Sequence, residues 1–283
     1  MAILLKGAEP AEKITAELRE RAAALRARGV KPCLAIVRVG ARADDLAYER
    51  AAAKRCAAAG IELRSAALPE SIAQGELIEK IEELNADAEV HGVLLLRPLP
   101  KTLDEAAACA ALAPQKDVDG ITAVSMASLY SGAGEGYPPC TAEASVRLLK
   151  HYNIPLEGAR AAVVGRSLVI GRPVALLLLS ENATVTLCHS RTKALTEETS
   201  RADILIAAAG SAGIIGAEHV RAGQAVVDVG INTAPDGSLC GDVLFDECRG
   251  IVGAISPVPG GVGALTTAVL AEHVVSAAER ATA

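Results

Sequence analysis

Residues 159–173, Ala-Arg-Ala-Ala-Val-Val-Gly-Arg-Ser-Leu-Val-Ile-Gly-Arg-Pro, constrain this chain more than any other stretch. Ala161 to Val164 is an unbroken apolar run, as a strand buried on both faces of a parallel sheet requires. The run stops at Gly165, and an apolar helix restarts over Val174 to Leu179, with Pro173 suited to its first turn. A strand, a glycine turn and a helix N-terminus together make an anion site. Backbone N–H groups and the positive end of the helix dipole point at one spot, where a pyrophosphate can sit. The spacing is G-R-S-x-x-x-G-x-P, without the common G-x-G-x-x-G fingerprint. Taken alone, such a turn is also compatible with a strand–helix connection that binds nothing.

The next strand, Ala183 to Cys188, sharpens the reading. In a unit that binds NAD, the second strand usually ends in Asp or Glu, which accepts from the ribose 2′-hydroxyl. This one runs into His189-Ser190-Arg191-Thr192, which offers donors and a cation but no carboxylate. Arg166 adds a second cation on the first turn. A 2′-phosphate gains from these groups and a bare ribose gains little, so NADP is expected over NAD.

Around this unit the chain alternates helices and strands at α/β spacing. Helices are expected over 9–28, 43–59, 72–85, 103–112, 141–152 and 265–281. Strands are expected over 33–39, 61–67, 90–96, 202–209, 225–229 and 250–255, and a loop over 132–139. The implied fold class is α/β, with two parallel-sheet domains, the second Rossmann-like. At 283 residues the chain can bury two modest cores. With aromatics at only 2%, Ala, Val, Leu and Ile must build them. A net charge of −6 argues against a nucleic-acid surface. The seven cysteines are scattered with no C-x-x-C pair, which suits free thiols in a reducing cytoplasm and no metal site. Met1 to Leu5 is too short for a signal peptide, and no apolar run reaches membrane-spanning length.

Several stretches together resemble the bifunctional methylenetetrahydrofolate dehydrogenase/methenyltetrahydrofolate cyclohydrolase family. They are Arg97-Pro98-Leu99-Pro100, Lys116-Asp117-Val118-Asp119-Gly120, Pro139-Cys140-Thr141, and Gly165-Arg166-Ser167 with Val169 to Pro173. Further on come Val227 to Asn232, Gly241-Asp242-Val243 and Pro257 to Gly263. They run in family order over nearly the whole chain. The resemblance implies a folate-binding, catalytic domain over 1–139, with helix 266–283 packing back on it, and an NADP-binding domain over 140–265. In the family the reaction takes place in the cleft between the two. Gly165, Arg166 and Ser167 then fall on the phosphate turn, Ser190 on the 2′-phosphate and Ile231 beside the nicotinamide. Tyr48 and Asp119 fall on the catalytic and folate-binding side, with Asp119 against the pterin ring. A carboxylate suits a pterin edge that offers paired N–H donors, although Asp before Gly also forms plain turns. Pro259, Gly260 and Gly261 carry little side chain, so backbone there can approach a flat folate closely. The resemblance also implies a homodimer through the NADP domain.

Two departures stand out. The family pattern Tyr-x-x-x-Lys places the cyclohydrolase lysine four residues after Tyr48, where this chain has Ala52. Its glutamine partner, just before Arg97-Pro98-Leu99-Pro100, is Leu96 here. Lys54 lies about 120° around the helix from Tyr48; Arg55 shares that face but two turns on, where a solvated surface charge is expected. Loss of the pair should spare NADP-dependent hydride transfer and hurt hydrolysis, unless Lys54, Arg55 or Arg97 substitutes. The alternatives are a non-catalytic or regulatory folate-binding protein of this fold, and a dehydrogenase for another small molecule.

Overall fold

The computed structural model describes residues 2–132 and 136–282, so the loop expected over 132–139 lies partly outside the described residues. A two-residue strand, β1 (Ile3–Leu4), precedes α1 (Ala8–Ala27). Three βα steps follow: β2 (Cys33–Val39) with α2 (Ala43–Ala59), β3 (Glu62–Leu68) with α3 (Gln74–Ala86), and β4 (Gly92–Leu95) with α4 (Glu105–Ala111). Helix α5 (Ala123–Ser131) and helix α6 (Cys140–His151) lead into the second half. There β5 (Arg160–Val164), α7 (Gly171–Ser180), β6 (Thr184–Cys188), α8 (Leu195–Ser200), β7 (Ile204–Ala207) and β8 (Ala225–Asp228) alternate. A hairpin of β9 (Asn232–Thr233) and β10 (Leu239–Cys240) precedes α9 (Phe245–Cys248), β11 (Ala254–Ile255) and the last helix, α10 (Val262–Arg280).

The chain divides into two compact units. One joins Glu12–Cys140 to the chain from Thr267 on; the other joins the chain up to Ala11 to Thr141–Thr266. In the first unit β3, β2 and β4 form a parallel sheet in that order. Strand β2 is central, and Cys33 to Val37 are all within 1% of complete burial, which explains a continuous apolar run there. Leu77, Ile81 and Leu84 of α3 pack on the sheet at helical spacing.

In the second unit six strands run parallel in the order β1-β11-β8-β7-β5-β6. The chain enters at β5, steps to β6 on one side, then crosses back to β7 on the other. The order therefore reverses at β5, and the carboxyl ends of β5 and β7 flank the place where open α/β sheets bind ligands. The strands and long helices lie within a few residues of their expected positions. Strand β1, helices α5, α8 and α9, and the β9–β10 hairpin were not expected.

Candidate active site

Helix α2 presents Tyr48, Ala52, Cys56 and Ala59 along one line, the i, i+4, i+8, i+11 spacing of a buried stripe. Gly60, at φ 78°, stops the helix in the left-handed conformation. One turn after Tyr48, Ala52 is 1% exposed, and Leu96 at the end of the β4 run is 8% exposed. Lys54 is exposed on another face. Arg55 is not the solvated charge expected from the helical wheel. Its guanidinium donates to Thr15 Oγ1 at 2.6 Å and to Thr267 Oγ1 at 3.4 Å, and its burial lowers its pKa. Arg97 pairs with Glu105 at 3.4 Å, and its charge also acts on Asp119.

The two aspartates of Lys116-Asp117-Val118-Asp119-Gly120 have separate jobs. Asp117 is completely buried and holds the turn: its carboxylate accepts from the Ile121 and Thr122 amides and from Ser125 Oγ, at 2.9, 2.8 and 2.6 Å. Gly120, at φ 66°, closes that turn against the backbone of Tyr137 to Pro139, where a Cβ would collide. With Asp117 in the turn-forming role, Asp119 is left to project its carboxyl elsewhere. Burial raises the pKa of Asp119, opposed by the charge of Arg97 and by a hydrogen bond from the Cys140 thiol. Burial, with Asp119 close by, pushes the Tyr48 phenol well above the ordinary tyrosine range. Tyr48, Asp119, Cys140 and Arg97 thus form one cluster in the first unit. Its phenol stays protonated and can donate; its carboxyl can accept.

In the second unit the turn after β5 needs both its glycines. Gly165 adopts φ 127°, and a Cβ on it would run into the Ala208 carbonyl at the end of β7. A Cβ on Gly171 would run into the Gly165 carbonyl. Backbone thus packs on backbone at the switch point, as close approach of a pyrophosphate demands. Ser167 Oγ accepts from the Ile170 amide at 3.1 Å and the Gly171 amide at 3.4 Å, which leaves its hydroxyl hydrogen as a donor. Arg166 and Ser167 are exposed on the turn between β5 and α7, and Ser190 and Arg191 are exposed beyond β6. Ile231 exposes 71% of its surface after β8, an apolar face suited to a flat ring. Pro259 and Gly260 are exposed, whereas Gly261 is buried. These residues fit a dinucleotide with an extra phosphate: donors and cations lie along the carboxyl edge, with no acid at the end of β6.

Two carboxylates fix the loops of that edge, and sequence reasoning quoted them without seeing their role. Asp242 accepts from the Ala209, Gly210 and Ser211 amides at 2.6, 2.9 and 2.9 Å and from Asn232 Nδ2 at 2.9 Å. Asp228 accepts from the amides of Gly230, Asp242 and Val243 at 3.0, 3.0 and 2.9 Å. Gly230 and Gly241 let the two carboxylates in; a Cβ on either would strike a carboxyl oxygen. The recurrent Asp–Gly pairs were the available signal.

Comparison with known proteins bears on both units. Residues 5–119 match the catalytic domain of the tetrahydrofolate dehydrogenase/cyclohydrolase model, and residues 139–282 match its NAD(P)-binding domain. The chain belongs to the tetrahydrofolate dehydrogenase/cyclohydrolase family. It is similar to the bifunctional protein FolD of Alkaliphilus oremlandii, with 47% identity over 277 residues that cover 98% of this chain and 97% of that protein. Among solved structures it is similar to the bifunctional FolD methylenetetrahydrofolate dehydrogenase/cyclohydrolase of Campylobacter jejuni, with a TM-score of 0.96, 39% identity and 99% of both chains covered. It is also similar to the Trypanosoma brucei enzyme complexed with NADP cofactor and inhibitor, with a TM-score of 0.94 and 34% identity over 99% and 98% of the two chains. As a member of this family the chain is an enzyme with an α/β fold and a Rossmann-like cofactor domain.

Proposed function

We propose that this chain oxidises 5,10-methylenetetrahydrofolate to 5,10-methenyltetrahydrofolate with NADP, and has lost most or all of the family's cyclohydrolase activity. The observation that carries the second half is at one position. One turn from Tyr48 stands Ala52, 1% exposed, where the family pattern has its lysine. The neighbouring cations do not stand in for it: Lys54 is exposed on another face, and Arg55 is bound to Thr15. Arg97 is held by Glu105, and a guanidinium stays charged and makes a poor proton shuttle.

The two reactions ask for different things. Bound NADP supplies a hydride acceptor. For this step the protein has to orient two rings and exclude water, and no group on the protein has to gain or lose a proton. The residues that would do this are present. Asp119 accepts the pterin N–H groups, and Tyr48 stays a phenol because burial raises its pKa. Ile231 meets the nicotinamide, and Gly165, Arg166, Ser167 and Ser190 take the phosphates. Pro259 and Gly260 offer exposed backbone to the folate, next to buried Gly261. Hydrolysis of the methenyl bridge needs water activated by a positioned proton acceptor, commonly worth about 10²–10⁴-fold. That demand falls on the replaced pair.

On this reading the first unit binds folate and the second binds NADP. The second unit also carries the surface for a homodimer. β6 is an edge strand, and Leu187 on it and Leu179 on α7 expose 37% and 59% of their surfaces. No helix among the described residues is long and apolar enough to cross a membrane. The proposed reaction, on small soluble molecules, places the protein in the cytoplasm. The test is a paired absorbance assay on the unmodified protein with methylenetetrahydrofolate and NADP. NADPH and methenyltetrahydrofolate should accumulate together, with the methenyl form decaying at its rate in buffer. Methenyl consumed as fast as NADPH appears would overturn the loss of cyclohydrolase. No NADPH at all would leave a folate-binding protein without this activity.

A further inference from the structure

Ile231 exposes most of its side chain, yet the residues on either side of it are anchored below the surface. On one side the Gly230 amide donates to Asp228 Oδ1 at 3.0 Å. On the other, Asn232 Nδ2 donates to Asp242 Oδ1 at 2.9 Å. A carboxylate only accepts, so this contact settles which end of the Asn232 amide faces inward. The two carboxylates are themselves joined, because the Asp242 amide donates to Asp228 Oδ1 at 3.0 Å. Both aspartates are buried. An exposed apolar side chain thus stands on a mount with two buried footings.

Asp242 also reaches the other half of the cofactor edge. It accepts from the Ala209, Gly210 and Ser211 amides just past β7. The phosphate turn leans on that same stretch, since a Cβ on Gly165 would meet the Ala208 carbonyl and the Ala209 nitrogen. A continuous path of backbone packing and hydrogen bonds therefore runs from Gly165 through residues 208–211 and Asp242 to Asn232 and Ile231. One link in it joins two side chains, that of Asn232 to Asp242. The pairing of Asn232 with Cys240 ties it to its own hairpin, not to the loop after β7.

We propose that Asn232 is a positioning residue for the nicotinamide: its bond to Asp242 sets where Ile231 stands relative to the turn that takes the pyrophosphate. The two ends of the cofactor are joined covalently through a ribose. A dinucleotide gripped at the turn therefore lays its ring flat on Ile231 only when that spacing is right. The inference rests on the reading that Ile231 meets the nicotinamide. Loss of the Asn232 side chain removes this link and little else. Asp242 keeps its three amides, and Asp228 keeps those of Gly230, Asp242 and Val243. The loops of the edge stay tied, and the ring platform loosens.

The experiment uses the full chain, as Asn232→Ala and Asn232→Leu, which remove the donor with two different side-chain sizes, and as Ile231→Ala alone and combined with Asn232→Ala. Two ligands are titrated by calorimetry. NADPH carries the nicotinamide; adenosine 2′,5′-bisphosphate keeps the adenine end and lacks the ring. The anisotropy of bound NADPH emission, which comes from the nicotinamide, reports how firmly the ring is held. Both Asn232 variants should weaken NADPH about fivefold, lower that anisotropy and leave the bisphosphate affinity within twofold of the unmodified chain. A fivefold loss is about 1 kcal/mol, the size of one hydrogen bond. Ile231→Ala should weaken NADPH by a similar factor. In its background Asn232→Ala should cost less than twofold, because the platform it holds is already gone. The bisphosphate affinity also shows that each variant is folded at the cofactor edge. Equal losses for the two ligands, no loss for either, or a loss that adds in full to a measured loss from Ile231→Ala would overturn the proposal. Unchanged NADPH affinity in Ile231→Ala would refute instead the seating of the nicotinamide on Ile231, the reading beneath it.

Discussion

Restoring the replaced pair tests the functional reading most directly. Ala52→Lys alone puts a long side chain into a place 1% exposed, beside a stripe that already packs Cys56 and Ala59. Overpacking of this kind costs about 1–3 kcal/mol, and at about 2–4 °C per kcal/mol the melting temperature should fall by about 2–12 °C. Burial there depresses the pKa of the new ammonium without fixing its direction. Leu96→Gln alone leaves a buried amide without its partner, at roughly 1–3 kcal/mol. Together the amide oxygen accepts from the ammonium, and a hydrogen bond to a charged group is worth about 1.5–3 kcal/mol. Methenyltetrahydrofolate decay, followed by absorbance in the four proteins beside dehydrogenase rates, should therefore show strong coupling. The double variant should hydrolyse about 10²–10⁴-fold faster than the unmodified chain. It should also exceed the product of the single gains by about tenfold or more, and dehydrogenase rates should change little. Additive single effects would refute the idea that the two positions act as a unit. Rapid hydrolysis by the unmodified chain would refute the loss itself and direct attention to Arg97.

Three more outcomes follow from the cofactor unit. Arg166→Ala should weaken NADP by about tenfold and NAD by less than twofold in fluorescence titrations, since a charged contact to phosphate is lost only with the phosphorylated ribose; equal losses would remove Arg166 from the 2′-phosphate. Gly165→Ala should destabilise by roughly 2–4 kcal/mol and abolish NADP binding, because φ 127° and the Ala208 carbonyl both exclude a Cβ; a stable variant with native cofactor affinity would show that the turn relaxes. Asp228 has its pKa pushed up to about 6, chiefly by burial, with Asp242 adding to the rise and the three amides opposing it. Its folded pKa lies about two units above the unfolded value, so its contribution is full below about pH 4 and lost as pH rises through about 6, some 3 kcal/mol in all. The stability penalty of Asp228→Asn, from denaturant melts, should thus be about 3 kcal/mol smaller at pH 7 than at pH 4, and a pH-independent penalty would contradict the raised pKa.

What the sequence carried and what it hid divide along chain separation. Strand β2 and helix α2 were legible because each is complete in itself: an apolar run ending at Gly40, and a helix stopped by Gly60. Strand β1 was hidden because its two residues have no meaning until Ala254 and Ile255 lie beside them, about 250 residues on. Helix α5 has its start signal in Thr122, whose hydroxyl accepts from the Ser125 amide at 3.2 Å, but no stripe of apolar residues behind it. In the site the same rule holds. The glycine turn at Gly165 is local and could be read. The partition of labour between Asp117 and Asp119 could not, since both precede a turn and only the fold shows which carboxylate the Thr122 amide takes. Arg55 was placed on the right face of its helix, yet its partner Thr15 is 40 residues away.

On the proposed reading, why would a lysine and a glutamine be replaced together while the residues for hydride transfer stay? Ala52 and Leu96 are both buried. A lysine–glutamine pair in that place has to satisfy itself, because burying an ammonium is tolerable only with an acceptor fixed against it. Removing either member strands the other, at roughly 1–3 kcal/mol for the amide and more for the charge. Replacing both by apolar residues strands no polar group, which buried places accept at little cost or with a gain. The elements of the dehydrogenase reaction are bound differently into the protein. Gly165 and Gly171 are required by backbone contacts, and Asp242 ties three successive amides. The turn that carries Asp119 is held by Asp117. Loss of any of these would disturb the sheet edge or the turn that carries it. On the proposed reading, the cyclohydrolase pair could therefore leave without touching the fold, whereas much of the proposed dehydrogenase site is part of the fold.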